Sequence, residues 1–226
     1  MHTPLPLVTA LCIGALAARA GVIYETGFEP PNFALGGING QEGWTGDGII
    51  ENTVVRSGTQ ALEMSLENGG VLPLAILGLN AAAKPQVNLQ VDMRLEGDFD
   101  ARAGLILLMT GGFGPQLIAD GTGPVILDQN PTQGTLTTGQ WYTLGLSLDF
   151  QARTVAAYLD GTWVGSAPLV PDGDRITEVW LAGGIEESGQ RAYFDNLSIV
   201  AVPESPVMAA VVGLGLAGIA LVHRRR

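Results

Sequence analysis

Apolar and polar residues alternate along most of the middle of the chain. Residues 87–96 show this pattern best, because every second position holds a large apolar residue: Val87, Leu89, Val91, Met93 and Leu95. A period of two is typical of a β-strand that buries one face. Similar patterns predict strands at residues 61–66, 142–150, 154–159 and 193–199, and Asp160-Gly161 predicts a tight hairpin turn. Little helical periodicity occurs between residues 22 and 201, so we expect an all-β domain.

Many strands of similar length without cysteines favour a sandwich of two antiparallel sheets. An immunoglobulin-like sandwich is the alternative, although it normally needs only about 100 residues. The segments 140–144 (QWYTL), 158–161 (YLDG) and 193–197 (YFDNL) resemble the concanavalin A-like, or laminin G-like, jelly roll. The resemblance implies that residues 21–201 form a jelly-roll domain.

The first 20 residues have the features of a secretory signal peptide. Residues 5–17 are a mainly apolar run that is too short to cross a bilayer comfortably. Ala18 and Ala20 are small residues at the two positions that a signal peptidase recognises. We therefore predict cleavage after Ala20 and export through the Sec pathway.

Residues 202–226 combine three features in a fixed order. Val202, Pro203 and Glu204 open the motif 202–206, an uncharged segment follows at 207–222, and the basic tail 223–226 contains Arg224, Arg225 and Arg226. As a helix the uncharged segment is about 24 Å long, somewhat under the roughly 30 Å hydrocarbon core of a bilayer. From the uncharged segment we expect one transmembrane helix. The terminal arginines predict that its C-terminal end lies in the cytoplasm. A buried terminal helix is the alternative.

This layout resembles the PEP-CTERM sorting signal of bacterial exported proteins. Ser205 stands where that family usually has a proline. The resemblance implies a precursor held in the inner membrane, processing by an exosortase, and a mature domain on the cell surface or outside the cell. Members of the family are commonly linked to exopolysaccharide or biofilm.

Charge and composition exclude several kinds of site. Residues 21–205 contain all 22 acidic residues but only seven basic ones, a net charge of −15. Such a surface repels phosphate, so no nucleic-acid partner is expected. Cys12, His2 and His223 lie outside this part of the chain, which excludes disulfides, Ser-His-Asp catalysis and His- or Cys-ligated zinc in the domain.

One acidic cluster raises the question of glycoside hydrolysis. Residues 92–96 (DMRLE) are the nearest match to the Glu-x-Asp-x-Glu strand motif of jelly-roll glycosidases, but Arg94 stands where that motif has its central aspartate. Hydrolysis needs two carboxyl groups about 5 to 10 Å apart across the sugar. A local ion pair on a solvated strand face explains the cluster more simply. We predict no catalytic residues and no enzymatic activity.

Glu29 near the start of the domain and Asp195 on its last strand, with the turn at 57–60, look like the calcium pattern of some β-sandwich carbohydrate-binding modules. In those modules an N-terminal glutamate and a C-terminal aspartate share a structural calcium ion, which accepts mixed oxygen ligands. The resemblance implies structural Ca²⁺ at Glu29 and Asp195. Ordinary hydrogen bonding to turn and strand-end backbone is the alternative.

Outward-facing aromatic and polar side chains form a candidate sugar-binding surface. Aromatic rings stack on pyranose faces, and amides and carboxylates bind sugar hydroxyls. The strand pattern places six such residues on outward faces: Trp141, Tyr158, Asn88, Gln90, Asp92 and Arg94. The aromatic residues would otherwise simply cover a sheet edge.

The sequence therefore predicts an exported, non-enzymatic envelope or matrix protein that binds extracellular polysaccharide. A secreted glycoside hydrolase or lyase of the same fold is one alternative. A purely structural surface protein is the other.

Overall fold

The computed structural model of the chain describes residues 21–65, 73–79, 83–97, 102–121, 123–184 and 189–202. Ala20–Val202 form one compact unit. The predicted cleavage residues Ala18 and Ala20, the sorting residues Pro203 and Glu204, the segment 207–222, and Arg224, Arg225 and Arg226 lie outside the described residues. Within the described ranges, no helix is long and apolar enough to cross a membrane.

The described part of the chain contains sixteen β-strands and no α-helix. The strands are β1 (Gly21–Thr26), β2 (Gly36–Gly37), β3 (Trp44–Gly46), β4 (Ile49–Glu51), β5 (Ala61–Ser65), β6 (Leu74–Gly78), β7 (Gln86–Glu96), β8 (Arg102–Met109), β9 (Gly112–Asp120), β10 (Pro124–Leu127), β11 (Asn130–Thr135), β12 (Trp141–Asp149), β13 (Thr154–Leu159), β14 (Thr162–Pro168), β15 (Ile176–Gly184) and β16 (Arg191–Ala201).

The strands form two antiparallel sheets packed as a sandwich. The nine-stranded sheet has the order β14-β13-β12-β7-β16-β5-β4-β2, with β1 also paired to β16. The seven-stranded sheet has the order β11-β10-β9-β8-β15-β6-β3. The predicted all-β sandwich of two antiparallel sheets is confirmed.

Strand alternation explains the core between the sheets. The five apolar residues predicted to face inward on β7 are each at most 3% exposed. On β12, Leu144, Leu146 and Leu148 are buried as expected, whereas Tyr142 and Phe150, near the strand ends, are only partly buried. The predicted hairpin is also present: Asp160 and Gly161 have φ values of 49° and 74°, as a type I′ turn requires.

β16 changes its partner along one edge. Arg191–Phe194 pair there with β5, whereas Leu197–Ala201 pair with β1. Asp195 and Asn196, between these two ladders, pair with neither strand, and Asn196 has a φ of 50°. The other edge of β16 pairs with β7 and shifts register between Asp195 and Ser198. This break in the ladder positions the cluster described next.

Candidate functional site

The carboxylate of Asp195 lies at the break between β5 and β1. Its side chain is fully buried, and Oδ2 accepts hydrogen bonds from the backbone N–H groups of Arg56 at 3.1 Å and Ser57 at 3.0 Å. Oδ1 accepts a hydrogen bond from the N–H of Asn196 at 2.7 Å. Asp195 thus ties the loop of residues 52–60 to the last strand.

Glu29 holds the other half of the 52–60 loop. Its Oε1 accepts hydrogen bonds from the N–H groups of Thr59 at 2.8 Å and Gln60 at 3.0 Å, and its Oε2 accepts one from the Thr59 hydroxyl at 2.6 Å. Gly58 has a φ of 67°, and a Cβ added there would lie 2.1 Å from Glu29 Oε1. Glycine at position 58 therefore permits both the backbone conformation and the close approach of the carboxylate.

Aromatic packing fixes the segment that carries Glu29. The Phe28 ring packs against Phe33 and Trp44, with ring centroids 5.4 and 5.7 Å away. Trp44 is fully buried, and its Nε1 donates a hydrogen bond to the Tyr24 hydroxyl at 2.9 Å. Because Phe28 is also fully buried, the backbone at Glu29 is anchored from the core.

The two carboxylates differ in their affinity for a proton. Burial raises the pKa of Asp195 to about 6, and the charge of Asp92 adds to this, although three backbone N–H groups act in the opposite direction. Burial also acts to raise the pKa of Glu29, but hydrogen bonds from Thr59 and Gln60 outweigh it, and the pKa is lowered. The negative charge on Asp195 at neutral pH is therefore unfavourable for the folded state.

Calcium binding by Glu29 and Asp195 stays a prediction. Both residues lie beside Gly27: a Cβ added there would be 3.5 Å from Asp195 Oδ1, 3.5 Å from Asn196 Oδ1 and 3.6 Å from Glu29 Cγ. The oxygens of both carboxylates accept hydrogen bonds from the protein. Among the described residues, no three histidine, cysteine, aspartate or glutamate side chains cluster as metal ligands do. A calcium ion here would need backbone or amide oxygens to complete its six to eight ligands.

Asp92 connects this cluster to the outer face of the nine-stranded sheet. One of its oxygens accepts a hydrogen bond from the Thr143 hydroxyl. The other accepts a hydrogen bond from Asn196 Nδ2 at 2.8 Å and lies 3.7 Å from Arg56 Nε. Asp92 is therefore engaged by three protein partners.

Six residues on six neighbouring strands form a row across the same outer face. The strand register pairs them in succession from β14 to β1. In order, this transverse row is Trp163, Tyr158, Gly145, Gln90, Ser198 and Glu25. Directly paired residues point to the same face of a sheet. With about 4.8 Å between strands, the row is about 24 Å long.

Two cavities follow the transverse row and share Gln90. The first has a volume of about 520 Å³, and its lining includes Glu25, Gly27, Glu29, Gln90 and Asn196. The second has a volume of about 260 Å³, and its lining includes Asn88, Gln90, Thr143, Gly145 and Tyr158. Because Gln90 lines both, the two cavities lie side by side, and together they are called the groove.

Gly145 keeps the second cavity open. Its φ is not positive, so the backbone does not require glycine there. A Cβ added to Gly145 would lie 3.3 Å from the Cβ of Tyr158, so a larger side chain would push against the Tyr158 ring or fill the cavity. A glycine inside a strand often marks the close approach of a ligand.

The structure divides the six predicted sugar-binding residues into two groups. Tyr158, Asn88 and Gln90 line the second cavity. Trp141, Asp92 and Arg94 lie further along β12 and β7, where Trp141 pairs with Arg94 and Thr143 pairs with Asp92. Trp141 is four residues from Gly145, about 14 Å along the strand. Arg94 also forms an ion pair with Glu96.

Sequence reasoning missed four members of the transverse row, namely Gly145, Trp163, Ser198 and Glu25. Trp163 is half exposed and lies two residues beyond the predicted hairpin turn. The pairing of the two hairpin strands from that turn could have placed it opposite Tyr158. Ser198 and Glu25 depend on β16 lying between β7 and β1. That order comes from long-range pairing, which local alternation does not contain.

Comparison with known proteins identifies the fold and no family. No protein-family model matches the chain, and no curated protein matches it. A sialidase is similar in structure, with 12% identity and a TM-score of 0.55 over 75% of this chain and 18% of the sialidase. The chain thus spans about a fifth of the sialidase.

Two further solved structures are similar. One is a cellulose induced protein, Cip1, with 16% identity and a TM-score of 0.52 over 79% of this chain and 97% of Cip1. The other is botulinum neurotoxin type C, whose cell entry depends on interaction with two ganglioside molecules. The toxin has 6% identity and a TM-score of 0.53, over 84% of this chain and 50% of the toxin chain. At these identities the similarity concerns the fold alone, and the domain shares a two-sheet, jelly-roll β-sandwich fold with these structures.

Proposed function

We propose that the domain is a non-enzymatic glycan-binding module that binds a polysaccharide chain along the transverse row. The observation that carries the proposal is the groove, in which two cavities meet at Gln90. The groove crosses five strands from Tyr158 to Glu25, about 19 Å, and this length suits an extended chain better than a small molecule. The ganglioside interaction of the structurally similar neurotoxin agrees with a glycan ligand.

The groove has the chemistry that sugar recognition uses. Tyr158 supplies an aromatic ring at one end of the groove, and the exposed ring of Trp163 lies beside it on the next strand. Rings of this kind stack on the apolar faces of pyranoses. Asn88 and Gln90 supply exposed amides in the middle, and the amide group both donates and accepts hydrogen bonds. Ser198 adds a hydroxyl beyond them. These groups match the alternating apolar faces and hydroxyl edges of a sugar chain.

Three of the four carboxylates near the groove are held in ways that favour binding without catalysis, and the fourth, Glu25, is exposed at the end of the row. Asp195 is fully buried and so out of reach of a ligand. Asp92 and Glu29 accept hydrogen bonds from fixed protein donors. A general acid or a nucleophile must reach the glycosidic bond.

A polysaccharide panel tests the proposal and its rivals together. The purified protein is incubated with soluble polysaccharides, and both retention and release of reducing ends are measured. Trp163→Ala and Tyr158→Ala should each weaken retention about five-fold or more, since an aromatic contact contributes about 1 kcal/mol. Phe113→Ala, which removes a 59% exposed ring from the seven-stranded sheet, is the matched control and should have no effect.

Each other outcome of the panel points to a rival function. Release of reducing ends that disappears in Asp92→Asn would establish a hydrolase or lyase. No retention of any polysaccharide would leave a purely structural surface protein.

We further propose that the protein is exported and sorted through its two ends. The signal peptide ending at Ala20 and the PEP-CTERM-like segment that begins at Val202 support this, with an exosortase and the inner membrane as partners of the precursor. N-terminal sequencing of exported protein should begin at Gly21. A sequence that begins upstream of Gly21 would contradict the signal-peptide interpretation.

A further inference from the structure

The groove has a one-sided distribution of charge. Glu25 is exposed at one end of the transverse row, and Glu29 lines the same cavity. Among the described residues that line the two cavities, none is lysine, arginine or histidine. A ligand in the groove therefore meets carboxylates and uncharged groups only.

Arg56 and Arg94 already face carboxylates. Arg56 lies 3.7 Å from Asp92, and Arg94 forms an ion pair with Glu96. The net charge of −15 on residues 21–205 adds a repulsive field around the groove. Recognition of acidic groups by proteins usually relies on arginine or lysine as the counter-charge.

From this distribution we infer that the ligand of the groove is an uncharged polysaccharide and that chains rich in uronate or sulfate are rejected. The inference rests on the proposed function, because it specifies the ligand of the same groove. Asn88, Gln90, Thr143 and Ser198 offer neutral donors and acceptors to hydroxyl groups. Glu25 repels an acidic sugar that reaches its end of the row.

Matched pairs of polymers test this inference, because the two members of a pair share a backbone and differ in charge. Suitable pairs are hydroxyethyl and carboxymethyl cellulose, dextran and carboxymethyl dextran, and galactomannan and its carboxymethyl derivative. Dissociation constants are measured with the full chain at about 20 mM and about 1 M salt, where the screening length falls from about 20 Å to about 3 Å. In the pair that binds, we expect the neutral member to bind at least ten-fold more tightly at low salt, with a smaller difference at high salt.

Two variants identify the residue responsible. Glu25→Gln should reduce the difference between the neutral and the carboxymethyl polymer. Glu42→Gln removes the same charge from an exposed position that lines neither cavity, so it should leave the difference unchanged.

The failures are distinguishable. Equal or tighter binding of the carboxymethyl member overturns the inference and leaves glycan binding in place. A difference that neither salt nor Glu25→Gln alters also overturns it. Retention of no polymer at either salt concentration overturns both the inference and the proposed function.

Discussion

Asp195 makes the stability of the folded domain depend on pH in an unusual direction. Its pKa of about 6 in the folded protein lies about two units above the 3.8 of an ordinary aspartate. An acid with a raised pKa binds its proton more readily in the folded than in the unfolded state. The contribution of Asp195 to the free energy of unfolding therefore grows as pH falls through 6 and is complete below about 4. Two pKa units correspond to about 3 kcal/mol.

Other carboxylates set the useful pH window. Glu29 and Asp149 have lowered pKa values, so the stability that they contribute is present above their unfolded pKa and is lost as pH falls through their folded pKa. Their effect opposes that of Asp195 at the acid end of the range. Burial raises the pKa of Asp128, which acts in the same direction as Asp195. The contribution of Asp195 to the free energy of unfolding is therefore measured best between pH 7.5 and 4.5.

Urea unfolding of the wild type and Asp195→Asn across this interval measures the effect. Between pH 7.5 and 4.5 the difference in free energy of unfolding should move by about 2 kcal/mol in favour of the wild type, which is most of the full effect, because asparagine cannot take up the proton. Asp47→Asn, at an exposed position, is the control and should follow the wild type at every pH. Parallel curves for the wild type and Asp195→Asn would refute the reasoning.

Three further predictions concern the 52–60 loop and the chain end. Gly58→Ala should destabilise the fold by about 2 to 3 kcal/mol in thermal or urea unfolding, whereas Gly161→Ala should lose only about 1 kcal/mol. Both glycines have positive φ, but only at Gly58 would the added Cβ meet a carboxylate, that of Glu29. Equal losses of unfolding free energy in the two variants would contradict a role for this contact. If calcium binds at Glu29 and Asp195, replacing a chelator by calcium should raise the melting temperature of the wild type and not that of Asp195→Ala. Superimposable melting curves of the wild type with calcium and with chelator would exclude the site. Replacing Arg224, Arg225 and Arg226 by glutamate should disturb membrane retention or topology of the precursor, and unchanged localisation in cell fractionation would count against the sorting role.

Local alternation was sufficient to predict the inner face of β7 and most of that of β12, whereas no strand of the seven-stranded sheet was predicted. β7 and β12 are flanked by other strands and face the opposite sheet, so a polar residue on the inner face would be costly and the period of two is preserved. The hairpin between β13 and β14 was equally accessible, because Asp160 and Gly161 are residue types that tolerate positive φ. These features depend on residues close together in sequence.

The candidate site was only partly predictable, because its geometry depends on distant pairing. Glu29 and Asp195 were singled out as calcium ligands, which stays a prediction, and the structure places both carboxylates against backbone N–H groups of the 52–60 loop. The sequence could not show their hydrogen bonds to backbone N–H groups, because an oxygen acceptor suits either a cation or an N–H donor. Trp141 and Tyr158 were expected on one surface, but parity shows only the face of a strand and not the position along it.

The pairing of β1 with β16 has a consequence for the timing of folding. Gly21 pairs with Ala201, so the first and last described strands of the domain are neighbours. β16 also lies between β7 and β5, which means that the middle of the large sheet is incomplete until the last strand is available. Closing such long loops is entropically unfavourable, and folds rich in distant contacts form slowly. A nascent chain lacking residues 191–201 therefore cannot complete its nine-stranded sheet, and the fold closes only after the last strand has been made.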